Sequence, residues 1–141
     1  MIFVNTAYLL ALCQPADQLH QRALAWAAVV AEPLLTTDYV LWEVVNGLSK
    51  PADRQKAHFT VKHVRSERNW EVVAATRALF KKGLNLHEER QDKAWSLTDC
   101  ISFVVMHQRN LRRALSPDHH FEQAGYEALL RADPPASQGL R

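Results

Sequence analysis

Several features that would define a class of protein are scarce in this sequence. It has two cysteines, Cys13 and Cys100, which are too few for a disulfide framework or a cysteine zinc cluster. No apolar run reaches the ~18–20 residues that cross a bilayer, and the apolar opening lacks the basic flank of a signal peptide. Neither sign of charge dominates, since 17 Lys+Arg residues oppose 15 Asp+Glu. These absences predict a cytoplasmic protein with reduced thiols and no membrane segment.

The hydrophobic pattern predicts one domain in which short strands alternate with helices. With 141 residues and 48% hydrophobic content, the chain can build a single core. Such alternation is typical of an α/β fold with a parallel sheet. Apolar runs predict strands at residues 2–4, 34–37, 70–73 and 113–115. Helices are expected near residues 16–30, 39–48, 75–82 and 97–109, with a last helix or helix–strand turn near 120–130.

Four polar residues stand at positions where such a fold binds ligands. In an open parallel sheet, ligands bind outside the carboxyl ends of the strands. Asn5 directly follows the first predicted strand, and Asp118 follows the strand at 113–115. Glu43 interrupts an apolar run, and Asp99 lies in the first turn of the strongest predicted helix. These side chains can therefore converge at one edge of the sheet.

Each of the four also has a purely structural interpretation. Ser96 and Asp99 have the spacing of a capping box. Asp118 follows a proline and is a natural cap for the next helix. Glu43 can be a solvated helix charge, and Asn5 can simply end its strand. Taken one at a time, none of these residues decides between structure and function.

The order of four segments carries more information than any single residue. They are Ile2-Phe3-Val4-Asn5-Thr6, the helical segment around Glu43, the run from Asp92 to Cys100, and the run from Leu115 to Tyr126. In this order they resemble the PIN-domain ribonucleases, and most of all the VapC-type toxins of type II toxin–antitoxin systems. The resemblance extends from Met1 to about Leu130. It implies an α/β/α three-layer fold with a central, mainly parallel sheet over residues 1–131, followed by a flexible tail at 132–141.

The resemblance also implies a metal-dependent endoribonuclease site. Asn5, Glu43, Asp99 and Asp118 correspond to the family's acidic cluster, which would hold Mg²⁺ or Mn²⁺. Thr6 and Thr98 correspond to hydroxyl residues that support the carboxylates. Clustered carboxylates repel a phosphate by themselves, so their use in RNA hydrolysis depends on a bound divalent ion.

Asn5 departs from the family pattern, because an aspartate is expected at this first catalytic position. An amide oxygen can coordinate a hard cation but brings no charge, so ion binding should weaken. We therefore expect an endoribonuclease that is inactivated or weakened, either by an engineered substitution or by natural loss. The alternative is a non-catalytic PIN-fold protein that binds an antitoxin-like partner or RNA.

The expected partners are an RNA substrate, a cognate antitoxin and a second copy of the chain. Arg109, Arg112 and Arg113 precede Asp118 and are candidates for contact with RNA phosphates. Residues 50–68 carry six basic and two acidic side chains, which can form a phosphate-binding edge or only a solvated helix face. The pair His119-His120 is disfavoured as a metal site, because adjacent residues do not easily face one ion.

Overall fold

The structure, a computed structural model, describes residues 1–136 and contains five strands and seven helices in that part of the chain. The strands are β1 (Ile2–Val4), β2 (Leu34–Thr37), β3 (Trp70–Val73), β4 (Arg113–Leu115) and β5 (Glu127–Ala128). The helices are α1 (Thr6–Cys13), α2 (His20–Val29), α3 (Asp38–Gly47), α4 (Arg54–Ser66), α5 (Arg77–Glu89), α6 (Leu97–Gln108) and α7 (His119–Gln123), and a 3₁₀ turn follows at Leu129–Arg131. Within residues 1–136, no helix is both long enough and apolar enough to span a bilayer.

The five strands form one parallel sheet in the order β3-β2-β1-β4-β5. The strand β1 lies at the centre and pairs Phe3 with Leu35 of β2 on one side and with Ala114 of β4 on the other. Both β1 and β2 are buried along their whole length. Strands covered on both faces have continuous apolar sequences, as these do.

The direction in which the sheet grows explains its three layers. From β1 the chain adds β2 and β3 on one side, and then returns to add β4 and β5 on the other. Because crossovers between parallel strands are right-handed, this reversal puts α1 to α4 on one face and α5 to α7 on the other. The expected α/β/α architecture is confirmed, and the sheet is parallel throughout the described residues.

Side-chain caps fix where several helices begin. The hydroxyls of Thr37, Thr76 and Ser96 accept hydrogen bonds from the third backbone N–H of α3, α5 and α6 respectively. Such caps satisfy donors that the helix cannot pair by itself. Helices α3, α5 and α6 thus start where the preceding strand or loop ends at one edge of the sheet. Their first turns lie at that edge.

The first residues of the segment expected as a tail contact α2. The carbonyl oxygen of Ala132 accepts a hydrogen bond from Nε1 of Trp26 at 2.9 Å, and Asp133 pairs with Arg22 at 2.8 Å. These two contacts attach the beginning of that segment to α2. Residues 137–141 of the expected tail lie outside the described residues.

Candidate active site

The sheet reverses its direction of growth between β1 and β4, and this is where Asn5 and Asp118 meet. Asn5 follows β1 and is only 7% exposed. Its Nδ2 donates a hydrogen bond to Oγ of buried Ser116, at 3.1 Å, just after β4. The backbone N–H of Asp118 donates to the same Oγ, also at 3.1 Å. A switch point of this kind is where open α/β sheets bind their ligands.

Glu43 is attached to the same place through Thr6. The Thr6 hydroxyl, in the first residue of α1, donates a hydrogen bond to Oε1 of Glu43 on α3 at 2.6 Å. The distance is short, as is usual for a hydroxyl bound to a carboxylate. Since Thr6 directly follows Asn5, this bond orients the Glu43 carboxylate towards the end of β1.

Asp99 joins the cluster through His120. Nδ1 of His120 lies 3.3 Å from Oδ2 of Asp99 and 3.2 Å from Oδ2 of Asp118. Asp99 is 8% exposed, and His120 is half-buried on α7. A continuous set of contacts therefore runs from Asn5 through Ser116, Asp118 and His120 to Asp99.

The structural interpretations of Asp99 and Asp118 are also confirmed. Ser96 and Asp99 form a complete capping box at the start of α6. Asp118 caps α7, because its Oδ1 accepts a hydrogen bond from the His120 backbone N–H at 2.9 Å. In both residues the cap uses one carboxylate oxygen, which leaves the other available for a different partner. Capping here fixes the carboxylates in position and does not compete with a role in the site.

His119 and His120 lie closer together at the site than the sequence predicts for adjacent residues. Ligand atoms of Asp118, His119 and His120 lie within 4.8 Å of one another. Both histidines approach the Asp118 carboxylate, which also caps α7. Nδ1 of His119 lies 3.5 Å from Oδ1 of Asp118, while Nδ1 of His120 contacts Oδ2.

The three arginines expected beside the site lie at the opposite edge of the sheet. Arg109 follows the last turn of α6, a helix of 12 residues whose first turn contains Asp99. The ten residues from Asp99 to Arg109 separate the two by about 15 Å along the helix. Arg112 and Arg113 stand at the amino end of β4, whereas Asp118 follows its carboxyl end. The expected proximity is wrong because a residue at the start of a strand and a residue after its end lie at opposite edges of the sheet.

Two of these arginines are already engaged by acidic residues at that edge. Arg109 forms a bidentate ion pair with Glu71, and Arg113 pairs with Glu32. Hydrogen bonds from the guanidinium groups hold the pKa of both glutamates below their ordinary value. These arginines are therefore neutralised by neighbours in the free protein.

Two residues next to Asp99 have structural roles in the described chain. The carbonyl oxygen of Thr98 accepts a hydrogen bond from Ser102 within α6. In residues 1–136, the hydroxyl that donates to a carboxylate of the cluster is that of Thr6 and not that of Thr98. Burial raises the pKa of the Cys100 thiol, and the charge of Asp99 raises it further. Cys100 thus has the properties of the small core residue that its sequence context indicates.

The donor atoms at this edge are of the kind that binds a divalent cation. Three carboxylates and one amide supply oxygen atoms, which are the ligands that hard divalent ions prefer. Hydrogen bonds with neighbouring residues fix the side chains of Asn5, Glu43 and Asp99 in place. Such fixed positions are typical of residues that must hold an ion in a defined geometry.

Comparison with known proteins agrees with this arrangement. Residues 2–126 match the family model of the PIN domain. The chain belongs to the PIN-domain family. The sequence resemblance to this family is thereby confirmed, and the acidic edge described above lies within the matched residues.

Relatives with known activity support the same assignment. The 23S rRNA-specific endonuclease VapC20 of Mycobacterium tuberculosis is 27% identical over 139 residues, covering 89% of this chain and 95% of its own length. The crystal structure of VapC20, described as a sarcin–ricin loop cleaving toxin, matches with a TM-score of 0.82 and 25% identity, over 89% of this chain and 96% of that one. FitAcB from Neisseria gonorrhoeae matches with a TM-score of 0.62 at 15% identity, over 91% and 95% of the two chains, and this shows the shared fold alone.

Three residues at the site carry no clear signal in the sequence. Ser116 is a buried linker between Asn5 and Asp118. His120 joins two carboxylates that are 19 residues apart in sequence. Arg131 approaches from the last 3₁₀ turn, where its Nη1 donates to the carbonyl oxygen of Pro117 at 3.3 Å. Only the spacing Asp118-x-His120, at a helix start, indicates that a histidine can fold back onto its cap.

Proposed function

We propose that this chain is a divalent-metal-dependent endoribonuclease of the VapC type, which hydrolyses RNA phosphodiester bonds and is inactivated or weakened by Asn5. The observation that carries the proposal is the continuous set of contacts from Asn5 through Ser116 to Asp118, and from His120 to Asp99. It supports the proposal because it brings Asn5, Asp99 and Asp118, which we assign to the family's acidic cluster, together at the switch point of a parallel sheet.

In this proposal Asn5, Glu43, Asp99 and Asp118 hold Mg²⁺ or Mn²⁺. A bound divalent ion supplies positive charge that stabilises the phosphoryl group and lowers the pKa of a coordinated water. The protein's own contribution is positioning. Thr6 fixes the Glu43 carboxylate, and Ser116 fixes both Asn5 and the backbone of Asp118.

The amide at position 5 reduces the charge of the site without changing its shape. Asparagine and aspartate occupy nearly the same volume, so the buried position beside Ser116 accepts either side chain. Ion affinity rises with the number of charged ligands, and three carboxylates remain here. A non-catalytic PIN-fold protein that binds RNA or a partner is the second candidate, and Asn5 is the observation in its favour.

The substrate we propose is a single-stranded or loop region of RNA. VapC20 is described as cleaving the sarcin–ricin loop of 23S rRNA, and loops expose bases and backbone that a duplex protects. Position 131 offers a basic side chain beside Pro117, at the rim of the acidic edge. That cation can contact a phosphate that enters the site.

The decisive experiment compares the chain with its Asn5→Asp variant. RNA hairpin cleavage is measured with Mg²⁺ and with Mn²⁺, and ion binding is measured by calorimetry. We expect Asn5→Asp to bind the ion at least tenfold more tightly, about 1.4 kcal/mol, and to cleave faster. Asn85→Asp, which adds the same charge on the exposed face of α5, is the matched control and should change neither.

Two results would contradict parts of this proposal. If the chain cleaves as fast as Asn5→Asp, the weakening by Asn5 is wrong. If Asn5→Asp neither cleaves RNA nor gains affinity for either ion, the nuclease proposal fails and the non-catalytic alternative is favoured. Adding Asp99→Asn to the Asn5→Asp variant should abolish whatever cleavage is gained.

We also propose that an antitoxin segment occupies an apolar groove between α1 and α4. The groove has a volume of about 790 Å³ and is lined by residues such as Tyr8, Leu12 and Phe59, of which Phe59 is 72% exposed. Lys56 lies at its rim, and other basic side chains of α4 are exposed nearby. Apolar pockets with a basic rim fit a peptide that carries both apolar and acidic side chains.

A second copy of the chain remains a proposed partner. Trp42 on α3 is 68% exposed, which is unusual for so large an apolar side chain. Light scattering of the purified chain and of Trp42→Ser tests this directly. A dimer that Trp42→Ser converts to a monomer supports the proposal, and a monomer at all concentrations contradicts it.

A further inference from the structure

The donor set at the acidic edge includes nitrogen atoms as well as oxygen atoms. Asp118, His119 and His120 bring their ligand atoms within 4.8 Å of one another. His120 also contacts Asp99 through the same Nδ1, at 3.3 Å. The ring centroids of the two histidines are 4.6 Å apart and their planes are tilted by 52°, and Nδ1 of each ring lies within 3.5 Å of an Asp118 carboxylate oxygen.

These separations match the spacing of ligands around one small cation. Donors at about 2.1 Å from an ion are roughly 3.0–3.4 Å apart when they are neighbours in octahedral or tetrahedral geometry. The distances from carboxylate oxygens of Asp118 to Nδ1 of His119 and Nδ1 of His120 are 3.5 and 3.2 Å. A metal ion can thus take the place of the proton that lies between a histidine nitrogen and a carboxylate oxygen, after small movements of the side chains.

Imidazole nitrogen changes which ion a site prefers. Carboxylate, carbonyl and water ligands suit Mg²⁺ and Mn²⁺, whereas imidazole suits later transition metals such as Co²⁺ and Zn²⁺. Asn5 shifts the metal preference in the same direction, because an amide stands in place of one charged oxygen ligand. The site therefore combines fewer anionic oxygens with two nitrogens.

We propose that His119 and His120 are metal ligands together with Asp118, with Asp99 beside them, so that the site binds a transition-metal ion of the Co²⁺ or Zn²⁺ class in preference to Mg²⁺. This inference rests on the proposed function in one respect, because it concerns the ion that is bound at the same site. It is tested by metal binding in the absence of RNA.

The experiment titrates the full chain separately with Mg²⁺, Co²⁺ and Zn²⁺ by calorimetry, and follows the visible absorption of bound Co²⁺, which reports nitrogen ligation. We expect one Co²⁺ site that is tighter than the Mg²⁺ site. His120→Gln should lower Co²⁺ affinity at least about tenfold and change the Co²⁺ spectrum, while Mg²⁺ affinity stays the same. His120→Asp, which restores an oxygen ligand, should raise Mg²⁺ affinity and lower Co²⁺ affinity.

A surface histidine provides the matched control. Nδ1 of His63 lies 3.7 Å from Oε1 of Glu67 on exposed α4, so this pair can also bind transition metals weakly. His63→Gln should leave the tight Co²⁺ site and its spectrum intact. Circular dichroism and thermal unfolding of each variant show that the fold is retained.

The outcomes separate this inference from the nuclease proposal. If His120→Gln and His120→Asp bind Co²⁺ with unchanged affinity and spectrum, the histidines are not ligands and the inference is overturned. In that case, Mg²⁺ binding by Asp99→Asn tests the carboxylate site by itself. Loss of Mg²⁺ binding in Asp99→Asn leaves the nuclease proposal standing, and unchanged Mg²⁺ binding counts against that proposal as well.

Discussion

Nδ2 of Asn5 donates a hydrogen bond to Oγ of Ser116 at 3.1 Å, and this contact joins the ends of the two central strands. The same Oγ accepts the backbone N–H of Asp118. Ser116 is fully buried, so neither donor can turn to water in its place. One serine thus sets the relative positions of the first and last residues of the acidic cluster.

Ser116→Ala should weaken ion binding as well as stability. It leaves two donors without their acceptor, at a cost of about 1–3 kcal/mol of unfolding free energy, and it frees the loop that carries Asp118. We expect Mn²⁺ affinity, measured by calorimetry, to fall about tenfold or more. Ser102→Ala is the control, since this buried serine bonds only to the Thr98 carbonyl within α6. Equal losses of affinity in both variants would contradict the role of Ser116.

Thr6→Val should affect the site through Glu43. The substitution keeps the shape of the side chain but removes the hydroxyl that donates to Oε1 of Glu43 at 2.6 Å. Partners of this kind change ion affinity about 10–100-fold when they are removed. Thr6→Ser retains the hydroxyl and should retain affinity in the same calorimetric titration. Loss of affinity in both variants would show that packing, and not the hydrogen bond, is what matters.

The sheet was largely predictable because its strands are continuous apolar runs. The first four observed strands coincide with the predicted ones, and β1 and β2, which are buried along their whole length, leave little room for charged residues. The fifth strand, Glu127–Ala128, has only two residues and half of it is exposed. Such a short pairing gives no periodic signal, so the segment near 120–130 was expected only as a helix or a helix–strand turn.

The sequence predicts the carboxylates of the candidate site but not the contacts that connect them. Position after a strand or at a helix start identifies Asn5, Asp99 and Asp118. The link through His120 depends on how one capped turn folds, which spacing along the sequence does not encode. The arginines illustrate the opposite error, because Arg113 is close to Asp118 in sequence but β4 lies between them.

Gly83→Ala should destabilise the packing of α5 on α6. The predicted helix ended near residue 82, but α5 continues to Glu89, and Gly83 lies against α6. A Cβ at this position would be 2.3 Å from Cγ1 of Ile101. We expect a loss of about 1–3 kcal/mol in denaturant unfolding. At Gly47 the added Cβ meets only the flexible end of Leu10, at 3.1 Å, so Gly47→Ala should cost clearly less.

Glu71→Gln should make stability less sensitive to acid. Hydrogen bonding to Arg109 holds the pKa of Glu71 below its ordinary value of 4.5. A lowered folded-state pKa stabilises the protein above the unfolded pKa, and this contribution is lost as pH falls through the folded value. The pair is exposed, so the effect should stay below about 1 kcal/mol. Melting temperatures from neutral pH down to about pH 3 should fall less in Glu71→Gln, and identical slopes would contradict the coupling.

RNA affinity should depend on Arg131 and not on Arg109. The guanidinium of Arg131 reaches Pro117, next to Asp118, and also pairs with Glu122 at 3.0 Å. Arg109 lies at the opposite edge, where Glu71 already engages it. Each substitution, to glutamine, removes one charge from one ion pair, so the two variants differ mainly in their distance from the carboxylates.

The measurement is the affinity of a labelled RNA hairpin, followed by fluorescence anisotropy at several salt concentrations. A residue that neutralises one phosphate contributes about one unit to the slope of log affinity against log salt. We therefore expect Arg131→Gln to bind more weakly and with a slope that is smaller by about one, while Arg109→Gln keeps both. The reverse result would mean that RNA crosses the amino edge of the sheet, because only there can Arg109 exchange Glu71 for a phosphate.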